Sequence, residues 1–179
     1  MSTPSLVERV VAVCDHLDAA GLPWALGGAL ALAYATEEPR GTRDIDVNVF
    51  VPADQAARVF AALPEGVRHS AADVTEARRA DQVRLWWGDT PVDLFFAADD
   101  FHQQAGRRAR SVPFAGRTIR VLAAEDLAVF KALFDRPKDW VDIATMAESN
   151  AIDLDEAADR LATLLPGDNR VDRLRRGGV

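Results

Sequence analysis

The run Arg40-Gly41-Thr42-Arg43-Asp44-Ile45-Asp46-Val47-Asn48-Val49-Phe50 constrains the fold more than any other part of the chain. Apolar and polar residues alternate along it, the period of a half-buried strand. Ile45, Val47 and Val49 therefore share one face, and Asp44 and Asp46 share the other. Two carboxylates about 5–6 Å apart repel by about 3 kcal/mol at an effective dielectric near 20. A fold gains nothing from that repulsion by itself. A divalent cation between them turns it into attraction, and magnesium takes hard oxygen ligands of this kind. The plain alternative is a strand edge facing water.

The chain has 179 residues, enough for one ordinary domain or a domain with a small helical appendage, and its 49% hydrophobic content suffices for a core. No apolar run reaches the ~18–20 residues of a membrane span. The N-terminal Met1-Ser2-Thr3-Pro4-Ser5 lacks the basic region of a secretion signal. Cys14 is the only cysteine, which excludes a disulfide framework and a thiolate metal site. A cytoplasmic protein with no membrane partner is the expectation. The net charge of −7 argues against a surface coated for nucleic acid. The arginines are clustered, however: Arg78, Arg79 and Arg84; Arg107, Arg108, Arg110, Arg117 and Arg120; and Arg170, Arg173, Arg175 and Arg176. Each cluster is either ordinary solvated surface or a local basic face toward polyphosphate or RNA. His16, His69 and His102 show no metal-ligand spacing.

Ser5-x-x-Glu8 predicts a capping box for a helix ending at Gly21. Leu22–Leu26 reads as a short buried strand, followed by Gly27-Gly28 and a small-residue helix from Ala29 to Ala35. After the acidic strand, a helix is expected over Gln55–Leu63. Gln82–Trp87 and Val92–Ala97 form strands about a Gly88-Asp89-Thr90-Pro91 turn. Next come a short helix from Asp99 to Ala105 and a hairpin of Ser111–Phe114 with Thr118–Leu122. Helices over Glu125–Phe134, Asp139–Glu148 and Leu154–Leu165 complete the pattern, and the arginine-rich tail beyond Pro166-Gly167 is expected to fray. This order predicts an α/β (α+β) fold.

Three features combine into a candidate site. Glycines between a strand and a helix, Gly27 and Gly28, let backbone approach an anionic ligand closely. Asp44 and Asp46 are the second feature. The third is Asp93, a lone carboxylate in the apolar run Val92-Asp93-Leu94-Phe95-Phe96, costly to bury unless paired. One indole of Trp86-Trp87 faces the core; the other packs at an interface or stacks on a base.

Together these features resemble the polymerase-β-type nucleotidyltransferase superfamily, with its Gly-Gly or Gly-Ser turn, Asp-x-Asp strand and third carboxylate on a later adjacent strand. The longer run Gly27-Gly28-Ala29-Leu30-Ala31-Leu32-Ala33-Tyr34, followed by Arg40-x-Thr42-x-Asp44-Ile45-Asp46, is similar to the AbiEii-like nucleotidyltransferase toxins. Glu125-Asp126-Leu127-Ala128-Val129-Phe130-Lys131 resembles that family's Asp-Leu-x-x-x-Lys helix, and Arg136-Pro137-Lys138-Asp139-Trp140-Val141-Asp142 its Arg-x-Lys-Asp-x-x-Asp segment. Gly28 stands where the superfamily often has serine, which leaves backbone N–H groups for the phosphate.

The resemblance implies a nucleotidyltransferase core with a small mixed sheet flanked by helices over residues 1–122, and a helical C-terminal region packed on it over 123–179. It implies that Asp44, Asp46 and Asp93 hold one or two Mg2+ ions, with Asp93 a metal ligand or proton acceptor. Lys131 would meet the NTP triphosphate, and Gly27, Gly28, Arg40 and Thr42 would line the nucleotide site. Asp142 is expected in that site or as an orienting group for Lys131 or Arg136, and Asp139 as a helix cap. The implied acceptor is RNA, a tRNA 3′ end, and the toxin likeness adds an antitoxin protein as a possible partner. The alternatives are an aminoglycoside- or lincosamide-type antibiotic nucleotidyltransferase with a small-molecule acceptor, and a non-catalytic nucleotidyltransferase-like binding module.

Overall fold

Seven strands form one mixed sheet in the order β3-β4-β5-β2-β1-β7-β6 among the described residues. The strands are β1 (Trp24–Leu26), β2 (Ile45–Val49), β3 (Val67–Arg68), β4 (Gln82–Trp87), β5 (Thr90–Phe96), β6 (Arg110–Phe114) and β7 (Arg117–Val121). The computed structural model describes residues 3–178. Met1 and Ser2, part of the stretch considered above for a secretion signal, and Val179 lie outside the described residues. The described residues divide into two compact units: the chain through Gly27 with Gly41–Val121, and Gly28–Arg40 with the chain from Leu122 onward.

The first unit holds the whole sheet. β2 runs antiparallel to β1 and parallel to β5, and β4 returns antiparallel along β5. Ile45, Val47, Val92 and Leu94 are fully buried, as their alternation requires. Helix α1 (Leu6–Ala19) starts at the predicted capping box, where Glu8 accepts the Ser5 N–H at 2.7 Å and Ser5 Oγ accepts the Glu8 N–H at 3.3 Å. It buries Val10, Val13, Cys14 and Leu17. It also buries Arg9, whose Nη1 donates to the Trp87 carbonyl at 2.9 Å, to Asp89 at 3.1 Å and to the Thr90 hydroxyl. That clamp sits on the β4–β5 turn. The turn is tighter than expected: Trp87 pairs with Thr90 around Gly88-Asp89, and Pro91 lies inside β5 opposite Trp86. Proline is tolerated there because β2 pairing begins only at Val92.

One helix of this unit carries no apolar period. After a 3-10 turn (Ala53–Gln55) and α3 (Ala56–Ala61), the chain forms β3 and then α4 (Ala71–Ala80), which buries only Ala77. A capping box, Ser70 with Asp73, marks its start, and Asp81 closes it at φ +53°. Helix α5 (Asp100–Arg108) comes after β5, with Gly106 against the Phe50 ring.

The second unit is helical. α2 (Gly28–Thr36), α6 (Ala124–Phe134), α7 (Pro137–Glu148), α8 (Leu154–Leu164) and α9 (Asn169–Arg175) make it up. α6 contacts each of the other four, so most of its residues are buried. Among them is Asp126, which is fully buried and held by Arg160 Nη1 at 2.8 Å. The tail does not fray. Asp168 caps α9, and Val171 with Leu174, one turn apart, gives it a buried face against α8. Arg170 pairs with Asp168, Arg173 lies 4.2 Å over Trp140, and Arg175 pairs with Asp159. No helix among the described residues is long and apolar enough to cross a membrane.

Candidate functional site

Parallel pairing places Asp46 of β2 beside Asp93 of β5. Adjacent strands lie about 4.8 Å apart, so the two carboxylates are neighbours on one sheet face. Asp44 precedes β2 by one residue and shares that face. Thr42 fixes it: Oγ1 donates to the Asp44 carbonyl at 3.1 Å and accepts the Asp44 N–H at 3.2 Å. On the other side of β2, the Gly27 N–H donates to the Asp46 carbonyl at 2.9 Å, one step beyond the Leu26–Val47 pair. Gly28, next in the chain, takes φ +52°, a conformation that favours glycine, and opens α2. Gly27, Thr42, Asp44, Asp46 and Asp93 thus come together as expected from the sequence.

The row has a fourth member, which the sequence places in an arginine cluster that is either solvated surface or a basic face toward polyphosphate or RNA. Arg84 of β4 pairs in register with Asp93. Its Nε and Nη2 donate to the two Asp93 oxygens at 2.7 Å each, and Nη2 lies 3.7 Å from Asp44 Oδ2. Hydrogen bonding to Asp93, then the charges of Asp93, Asp44 and Asp46, hold the guanidinium proton more tightly than usual, against an opposing effect of burial. Among the described residues no set of three or more His, Cys, Asp or Glu side chains is arranged to hold a metal ion. A guanidinium is the cation on which Asp93 and Asp44 converge. The donor chemistry itself fits magnesium, since Asp44, Asp46 and Asp93 offer hard carboxylate oxygens. Any ion held on all three would share Asp93 with Arg84, which is half exposed at 51%.

In the second unit, Arg40, Lys131, Arg136, Asp139 and Asp142 form one ion cluster. Lys131 Nζ lies 2.8 Å from Asp142 and 3.7 Å from Asp139, with its side chain only 10% exposed. Asp142 also accepts from Arg40 Nη1 at 2.7 Å. Asp139 caps α7, accepting the Arg136 N–H at 3.3 Å, and binds the Arg136 guanidinium at 2.6 and 3.1 Å. Asp142 therefore orients Lys131 and Arg40, while Asp139 combines its capping role with the ion pairs. Within these five residues three cations meet two carboxylates.

The Arg107–Arg120 cluster, one of the candidate basic faces, belongs to the other end of the sheet from the aspartates. β7 is separated from β2 by β1, and β6 is the far edge. Its charges are used locally: Arg117 pairs with Asp15, Arg120 donates to the Gly106 carbonyl at 2.7 Å, and Arg108 covers Phe101. The arginine beside the aspartates comes from the Arg78–Arg84 group instead.

Solved structures share the fold, three of them as follows. The antibiotic-resistance factor ANT(2'')-Ia aligns with TM-score 0.55 and 18% identity over 95% of this chain and 89% of its own. The lincosamide antibiotic adenylyltransferase LnuA, solved with lincomycin bound, gives 0.54 and 14% over 78% of this chain and 94% of its own. An antigenic nucleotidyltransferase-like protein from Paracoccidioides brasiliensis gives 0.53 and 15% over 98% and 95%. No curated protein sequence matches the chain. The family model for the nucleotidyl transferase AbiEii toxin of Type IV toxin–antitoxin systems matches residues 14–178, a span that takes in the carboxylate row and the Lys131 cluster alike. This chain is therefore a nucleotidyltransferase and belongs to the AbiEii toxin family.

Proposed function

We propose that this nucleotidyltransferase moves a nucleoside monophosphate from an NTP to a hydroxyl of RNA, a tRNA 3′ end, with magnesium held by Asp44, Asp46 and Asp93. The observation that carries this is the pairing of Asp46 with Asp93 beside the Gly27 N–H. A bound divalent ion would neutralise charge on the triphosphate during in-line attack at the α-phosphorus. Thr42 sets the position of Asp44. A carboxylate of the row takes the acceptor hydroxyl proton as the new O–P bond forms, and pyrophosphate leaves with the electron pair of the bond that breaks. Asp93 is the least suited of the three to that proton, since Arg84 engages both of its oxygens. Lys131, oriented by Asp142, meets the triphosphate together with Arg40. The RNA acceptor is what the likeness to the toxins implies, and the Type IV toxin–antitoxin family adds a cognate antitoxin protein as a partner.

The test is incubation with α-labelled NTPs and either total tRNA or aminoglycosides and lincosamides, with and without magnesium. Incorporation into tRNA that requires magnesium and disappears in Asp46→Asn is expected. Label transferred to a drug and not to RNA would replace this proposal with the antibiotic one. Equal turnover in wild type and Asp46→Asn would remove the metal chemistry, and no turnover on any acceptor would favour a binding module.

A further inference from the structure

Beside the carboxylate row lies a recess of about 250 Å³ lined in part by Arg68, His69, Ser70, Asp73, Arg84 and Trp86. Its floor is the outer part of the sheet. Arg68 of β3 pairs directly with Trp86 of β4, so the two side chains share a face, and Arg84 lies two residues earlier on the same strand. Trp86 leaves 43% of its surface exposed on a sheet whose other face is packed. Trp87, its neighbour, turns toward Gly66 and lies under the Arg9 guanidinium at 6.0 Å. The His69 ring is held against Phe60 with centroids 5.3 Å apart. Asp73 is the only acid among these lining residues, and its carboxylate is directed to the start of α4, accepting the Ser70 N–H and hydroxyl at 2.7 Å.

We infer that this recess is a nucleotide subsite for the acceptor strand: a base stacks on Trp86 and its phosphate is held by Arg68 and Arg84. An exposed indole flanked by two guanidinium groups suits a flat ring carrying negative charge. Arg84 links the subsite to the chemistry, because the guanidinium that lines the recess is the one bound to Asp93. The assignment rests on the proposed RNA acceptor, and a free NTP carries the same base-and-phosphate chemistry, so both sources are tested.

The test is fluorescence anisotropy of a labelled single-stranded oligoribonucleotide of about ten nucleotides with the full chain, in EDTA and without NTP. Turnover is measured separately with magnesium. Trp86→Ala and Arg68→Ala each weaken binding about fivefold or more, the lower end for loss of one base–aromatic stack. Trp86→Phe, which keeps an aromatic face, stays within about twofold of wild type. ATP affinity is unchanged in Trp86→Ala. Undiminished oligoribonucleotide binding in Trp86→Ala and Arg68→Ala overturns the subsite, even if wild type is active on tRNA. ATP binding lost in Trp86→Ala while the strand still binds overturns it in favour of the NTP. A subsite that binds RNA in a wild type with no turnover keeps this inference and fails the proposed reaction.

Discussion

The Lys131 cluster predicts that two substitutions at one ion pair have opposite profiles. Lys131→Met removes a 2.8 Å contact with Asp142 and a 3.7 Å contact with Asp139. A hydrogen bond between charged groups is worth about 1.5–3 kcal/mol. Against that loss stands relief from burying an ammonium whose side chain is only 10% exposed, a penalty of several kcal/mol. Both carboxylates keep a guanidinium, Asp142 from Arg40 at 2.7 Å and Asp139 from Arg136 at 2.6 Å, and the methionine fills the space of the stem. Stability should change by no more than about 1 kcal/mol, a Tm shift within about 4 °C for a chain of this size. Asp142→Asn is different. It leaves three cations with one carboxylate and strips Arg40 of its ion pair, costing about 2–3 kcal/mol, or about 4–12 °C. Turnover should fall at least about 100-fold in Lys131→Met, equivalent to about 2.7 kcal/mol of transition-state stabilisation. Thermal unfolding followed by circular dichroism, paired with labelled-NTP turnover, measures both. A Lys131→Met protein less stable than Asp142→Asn would refute the charge balance. Turnover within threefold of wild type would refute the proposed contact with triphosphate.

Three further outcomes follow from particular contacts. Leu174→Ala should lower stability by about 2–4 kcal/mol in urea unfolding, because Leu174 is fully buried in α9; a change below about 0.5 kcal/mol would mean that the tail does not pack. Gly66→Ala should cost about 1–3 kcal/mol and alter the near-ultraviolet tryptophan signal, since the new Cβ would lie 2.1 Å from Trp87 Nε1; an unchanged melt would show that the indole moves freely. Burial, then the charges of Asp18 and Asp15, push the Cys14 thiol up to about 12, so native protein at pH 8 should resist iodoacetamide that labels unfolded protein within minutes. Because the folded value is the higher, this thiol's contribution to stability is intact below its unfolded value near 8.5 and is lost as pH rises toward 12, which alkaline unfolding curves of wild type and Cys14→Ala would compare.

What was legible in the sequence had a period or a chemical signature. The β2 alternation and the capping box of Ser5 with Glu8 are local and appear where expected, and Gly27 falls beside Asp46. α4 escaped because it buries a single alanine, so no apolar stripe exists to be seen; its Ser70–Asp73 cap was the only clue. α9 escaped for another reason. Seven residues dominated by arginine look solvated, yet two apolar side chains one turn apart suffice when α8 supplies a surface. Asp142 stayed undecided because its partners, Arg40 and Lys131, are 102 and 11 residues away, and helix spacing says nothing about such distances.

Arg84 shows how a site residue can be implicit in a sequence and still be passed over. Composition grouped it with Arg78 and Arg79, but those two sit in the last turn of α4 while Arg84 belongs to a strand. In a two-residue hairpin, residues equidistant from the turn face each other. With Gly88 and Asp89 as that turn, Trp87 meets Thr90, and three further steps bring Arg84 to Asp93. Had the turn extended over Pro91, as the proline suggests, the register would have shifted and Arg84 would have had a different neighbour. A one-residue slip would also turn its guanidinium to the opposite face, away from all three carboxylates. The Arg9 clamp on Trp87, Asp89 and Thr90 holds this turn in its short form. A buried arginine in the first helix thereby determines which cation the aspartate row meets.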